Sequence, residues 1–188
     1  MPAIQRQLFN WKWTSKVIPF AFAAFFVQLA CWGILPAILP YAASRIDDNC
    51  RSSNKGASVL QWVYIASYGA LVIGSYVAGR FNSKNILLPL IAFFALFFIQ
   101  IGIASGIGTE TFLNNTGGAI LLVFSSGFAR FLDGYLAVTI IKIVFATFSH
   151  DREAVALIVG AFGRVSILVG SLAILPFVDY LADHCTTR

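Results

Sequence analysis

Four side chains able to do chemistry stand where the sequence around them is otherwise apolar. Arg130, Asp133 and Lys142 lie in GFARFLDGYLAVTIIKIVFATFSHDRE, residues 127 to 153, and Arg164 lies in GAFGRVSILVG, residues 160 to 170. A carboxylate accepts hydrogen bonds and a guanidinium donates up to five, so together they can hold a polar solute or neutralise each other. Arg130 and Asp133 are three residues apart and share one helix face. Lys142 is nine residues beyond Asp133, about half a turn around the helix, and aligns instead with Tyr135 and Thr139. Two readings follow for Arg130, Asp133 and Arg164: a structural ion-pair cluster that locks two helices, or the lining of a polar solute path. Lys142 either snorkels to the interface or joins that path.

The solvent around these charges is set by composition. Of 188 residues, 59% are hydrophobic and 11% charged, against about 25% charged in an ordinary soluble domain. Such a chain belongs in a bilayer, and the expected fold is all-α, a polytopic membrane protein with five transmembrane helices. The net charge of +5 does not indicate nucleic acid, because the basic residues flank apolar runs rather than forming a stripe.

Residues 1–16 read as a cytoplasmic segment with Arg6, Lys12 and Lys16. The five-helix domain covers 17–178, with spans at about 17–42, 57–80, 85–107, 117–148 and 154–178, each long enough for a hydrocarbon core of about 30 Å. Residues 179–188 form an external tail. Pro36 and Pro40 should kink or open the first helix near its outer end. Ala66, Ala70, Gly74 and Ala78 recur every four residues and should let another helix approach closely. Gly102 and Gly106 form a G-x-x-x-G in the third span, whose phenylalanines read as lipid-facing. The fourth span is over-long and should tilt or protrude.

The loop at 108–118 has no Lys or Arg and holds the one N-x-[ST] triplet, at Asn114, a glycosylation acceptor if the loop is external. That orientation puts the N-terminus in the cytoplasm and the C-terminus outside, at the plasma membrane. Cys50 and Cys185 then share the oxidising side and are expected to pair as a disulfide, or to stay as two surface thiols. Cys31 lies within a span and should be a buried thiol. The last two spans are joined by a short turn, so they are expected to pack antiparallel with Asp133 and Arg164 as neighbours.

Catalysis is not expected. Ser149, His150 and Asp151 are consecutive in a turn and cannot fold back on one another as a triad. No phosphate-binding glycine loop and no H-E-x-x-H occur. Neither a metal site nor a cofactor is expected, since the three cysteines are scattered and no C-x-x-C spacing exists.

Several local patterns resemble the C-terminal half of the eukaryotic riboflavin transporters, which are eleven-span carriers. The segment from Gly160 to Pro176, GAFGRVSILVGSLAILP, is similar to the family's last helix, GILPAILPY from Gly33 to Tyr41 to its Gly-Val-Leu-Pro segment, and Gly117-Gly118 to the entry of a further span. The chain departs from the family where Ala-Ile-Leu-Pro-Tyr-Ala replaces a stretch with Gln, Ser and Cys, and where Arg164 replaces Gln. The resemblance implies riboflavin as transported solute, with aromatic side chains stacking on its ring, Asp133 accepting from its hydroxyls and Arg130 or Arg164 donating to its carbonyls; Tyr135 and Lys142 complete the candidate set. A carrier alternates access between two halves, so it also implies a missing N-terminal half or a second membrane chain as partner. The competing expectation is a non-transporting interaction or regulatory subunit.

Overall fold

The computed structural model of the chain describes residues 11–46, 54–81, 85–105, 116–148 and 152–186. These residues form helices and no strands. Helix α1 (Trp11–Gln28) runs through a π-helical turn (Leu29–Ile34) into α2 (Leu35–Ile46); α3 (Asn54–Arg80), α4 (Leu87–Ser105), α5 (Thr116–Thr147), α6 (Arg152–Ala173) and α7 (Leu175–Thr186) follow. Four stretches, Lys16–Ile46, Gly56–Arg80, Leu87–Ser105 and Val155–Ala182, are long and apolar enough to cross a membrane. The chain is an all-helical membrane protein. Helix α5 is not among the four, although its 32 residues reach about 48 Å.

In place of an opening at Pro36 and Pro40, the first helix carries the π turn just upstream of Pro36. A proline ring crowds the carbonyl four residues before it and offers that carbonyl no N–H, and widening the preceding turn relieves both. The chain stays helical through Pro40. The last span also differs from expectation. It breaks at Ile174, whose carbonyl accepts from Phe177 and Val178 at 3.0 and 2.9 Å, and then continues as α7 well past Pro176. Pro176 falls in the first turn of α7, where a helix does not need its N–H.

Helix α5 is the hub, packed on α3, α4 and α1. Its contact with α3 is the most extensive in the molecule and uses the small-residue seam. Gly74 lies against the Phe131 backbone so closely that a Cβ would overlap its carbonyl, and Gly134 stands likewise against the Leu71 carbonyl and Ser75. Ala66 meets Gly127, 3.6 Å from where a Cβ on that glycine would be. By contrast, Gly102 faces open space, and Gly106 lies outside the described residues. The phenylalanines of α4 are divided: Phe98 is exposed, whereas Phe93 and Phe97, one turn apart, are buried in the main core with Leu35, Ile38, Leu122 and Leu136.

Helix α6 does not pack along α5 as its short connection suggested. It lies instead on α1 and the π turn. There Gly33 and Gly170 meet, with a Cβ on Gly33 falling 2.8 Å from the Gly170 Cα. The first membrane stretch therefore lies between α5 and α6, which decides the surroundings of Asp133.

Candidate functional site

Asp133 is 1% exposed, near the middle of α5. Its face of the helix is turned toward the first membrane stretch by the glycine seam on the α3 side. Trp32 Nε1 donates to Oδ2 at 3.2 Å and Gln28 Nε2 donates to Oδ1 at 3.4 Å. Gln28 and Trp32 are four residues apart and share a helix face, Trp32 from within the π turn, so both reach one carboxylate. Arg130 Nη1 stands 3.6 Å from Oδ2, an ion pair without a hydrogen bond. Its guanidinium lies over the Trp32 ring, 4.3 Å from the centroid, a cation–π contact worth about 0.5–2 kcal/mol. Nη1 is buried and has no hydrogen-bond partner. Cys31, the buried free thiol expected there, faces both charges.

A charge buried in an apolar interior is costly unless it is paired and hydrogen-bonded. One opposite charge and two N–H donors offset that cost here. An ionised carboxylate has about four lone-pair sites, and the two hydrogen bonds found leave acceptor capacity on Asp133. Asp133, Gln28, Leu136, Ala137, Gly160 and Arg164 are among the residues that line a cavity of about 270 Å³ between α1, α5 and α6. The wall is mostly apolar, with a carboxylate, an amide and a guanidinium as its polar points, which is the usual constitution of a small-molecule site.

Arg130, Asp133, Tyr135, Lys142 and Arg164 each have a definite place. Arg130 and Asp133 come together as the spacing indicated. Arg164 lines the same cavity but is exposed and forms no ion pair with Asp133, because the first stretch lies between their helices. Tyr135 is outside the cavity, in a ladder of stacked rings with Phe124, Phe128 and Phe131 along the α3 side of α5. Lys142 is not among the residues that line the cavity: Nζ donates to the carbonyls of Ala78 at 2.8 Å and Gly79 at 2.7 Å. It thereby caps the C-terminus of α3, where carbonyls lack helical partners and the helix dipole favours a cation. Asn114, the glycosylation candidate, and Cys50 lie outside the described residues, as does the side chain of Cys185, its expected disulfide partner. No disulfide and no group of metal-ligating side chains occurs among the described residues.

Gln28 and Trp32 were not singled out from the sequence. Gln28 is the one amide in VIPFAFAAFFVQLACWG, residues 17 to 33, and a lone amide in such a run needs a polar partner. A second polar pair, Gln100 and Ser126, is buried between α4 and α5, with Ser126 Oγ donating to Gln100 Oε1 at 3.4 Å while Gln100 Nε2 has no partner. Compared with known proteins, the chain matches no family model, no curated protein and no solved structure.

Proposed function

We propose that the chain is a solute-binding unit of a membrane carrier, with riboflavin as its solute and the Asp133 cavity as its binding surface. The observation that carries this reading is a deeply buried carboxylate, hydrogen-bonded below its acceptor capacity, among the residues that line a cavity in an apolar bundle. Asp133 accepts hydrogen bonds from the solute's hydroxyls, Gln28 lies beside it as a second polar group, and Leu136, Ala137 and Ile140 contact its apolar parts. Riboflavin is nominated by the resemblance of Gly33–Tyr41 and Gly160–Pro176 to the riboflavin transporters. At about 270 Å³ the cavity is slightly below the ~300–1,000 Å³ of a complete small-molecule site, which suits one part of such a solute. The rest of the site then belongs to another membrane segment, as alternating access requires.

In this reading α5 is a fifth span, its length exceeding the bilayer core and its charges turned inward on Asp133 and the α3 terminus. The N-terminus is cytoplasmic and the C-terminus extracellular, at the plasma membrane. The test is equilibrium binding of riboflavin to the purified chain in phosphatidylcholine vesicles, alongside Ala137→Phe, which fills the cavity. Binding by the unaltered chain and its loss in Ala137→Phe support the proposal, whereas binding no greater than that of empty vesicles rejects it.

A second reading, an interaction subunit without transport, is favoured by the partners of Asp133. Gln28, Trp32 and Arg130 all belong to this chain, as expected of a lock between α1 and α5. A subunit of that kind binds no riboflavin and keeps its partner when Ala137 is enlarged.

A further inference from the structure

Arg164 stands near the middle of α6, about 18 Å along the helix from Arg152. It is exposed, and no described residue gives it a hydrogen bond or ion pair. Helix α6 is held along one side, where Val155, Ser166 and Gly170 are buried. Leu157, Gly160, Ala161, Arg164 and Leu168, spaced at three and four residues, form an uncovered stripe. A Cβ added at Gly160 would meet nothing within 4 Å. A bare guanidinium at this depth, in a stripe of small and aliphatic side chains, is costly in lipid and demands an opposite charge.

The geometry points to a docking face on α6 for a different membrane helix that carries a carboxylate at mid-depth and seats it on Arg164. Charge complementarity selects this occupant over a second copy. The chain's acidic residues are Asp47, Asp48, Glu110, Asp133, Asp151, Glu153, Asp179 and Asp183. Of these, Asp133 and Asp179 lie within apolar helices: Asp133 is buried against its own partners, and Asp179 is fifteen residues beyond Arg164 on the same membrane stretch, about 22 Å from its depth. Two copies inserted with the same orientation and joined through α6 would set Arg164 against Arg164, a like-charge contact that opposes association. Small residues at Gly160 and Ala161 let the incoming backbone approach closely, which is how helices associate where no hydrophobic effect drives them together. Because Arg164 also lines the Asp133 cavity, a helix seated there closes its open side. The inference stands on Arg164 and the stripe, and does not depend on riboflavin being the solute.

The test uses the whole purified chain in phosphatidylcholine vesicles and synthetic membrane-spanning helices of leucine and alanine, with a central Glu, Gln or Leu. Association is read by energy transfer between labels on chain and peptide. The Glu helix is expected to bind at least about tenfold more tightly than the Leu helix. Arg164→Leu should erase that preference, and Arg164→Lys should keep part of it. Gly160→Leu, which has room within the chain's own fold, should weaken binding of all three peptides. Equal binding of Glu and Leu helices overturns the inference. So does self-association of the chain that Arg164→Leu abolishes, or a Glu preference that vanishes when phosphatidylglycerol is added, since the charge would then serve a lipid phosphate. Riboflavin binding measured on the same vesicles without peptide reports the solute reading separately.

Discussion

Replacing Asp133 by Asn removes the one negative charge beside Arg130, and the structure fixes both the size of the effect and its remedy. The Arg130 side chain is 10% exposed and that of Asp133 2%, so the variant leaves a buried cation unpaired, a loss of about 3–5 kcal/mol. The contact of Arg130 with Trp32 at 4.3 Å is present before and after the change, so it cancels from the difference. The asparagine oxygen can still accept from Trp32. The net expectation is roughly 3 kcal/mol, about a hundredfold shift toward unfolded chain. Removing the stranded cation should reverse most of it, so Asp133→Asn with Arg130→Met is expected to regain near-original stability. Asp133→Asn with Arg164→Gln should remain destabilised, because Arg164 forms no pair with Asp133. The assay is folded yield and reversible unfolding of the purified chain in mixed micelles. Rescue by Arg164→Gln but not by Arg130→Met would refute the assignment of the ion pair.

Other substitutions probe the remaining supports. Lys142→Met should cost about 1–2 kcal/mol by uncapping α3 and should speed amide exchange at residues 77–81; unchanged exchange there would exclude the capping role. Gly74→Ala and Gly134→Ala push a Cβ into the backbone of the facing helix and should each cost about 2–4 kcal/mol. Gly102→Ala, with open space around it, should be neutral or stabilising by up to about 1 kcal/mol; thermal unfolding of the three decides whether α3 and α5 are as close as described. Trp32→Phe keeps a ring under Arg130 but loses the N–H to Asp133, and should destabilise by about 1–3 kcal/mol; an unaltered unfolding midpoint would show that the indole bond carries no energy.

Helix positions were legible because each depends on a local property. Apolar length marked the membrane stretches, and the period-four small residues at 66, 70, 74 and 78 marked the face that meets α5. The Arg130–Asp133 pair was legible for the same reason, since three residues of helix bring two side chains together whatever the tertiary fold. Tertiary placement was not. A short turn between the last two spans implied neighbouring helices, yet the Gly33–Gly170 contact draws α6 onto the first stretch. Arg164 was thereby separated from the carboxylate it was expected to meet. The π turn was hidden because it depends on how the chain relieves Pro36, and it holds Trp32, one of the two donors to Asp133. Lys142 illustrates the same limit: its alignment with Tyr135 and Thr139 follows from helix period, but the carbonyls it caps belong to another helix.

Riboflavin binding by the well-folded Asp133→Asn, Arg130→Met double variant tests the central claim most directly, because stability is restored while the carboxylate at the cavity is gone. A carboxylate that anchors the solute predicts a loss of at least about tenfold in affinity relative to the unaltered chain in the same vesicles. Measurable binding by the unaltered chain and equal binding by the folded double variant would contradict it, and would leave Asp133 as a lock between α1 and α5 alone.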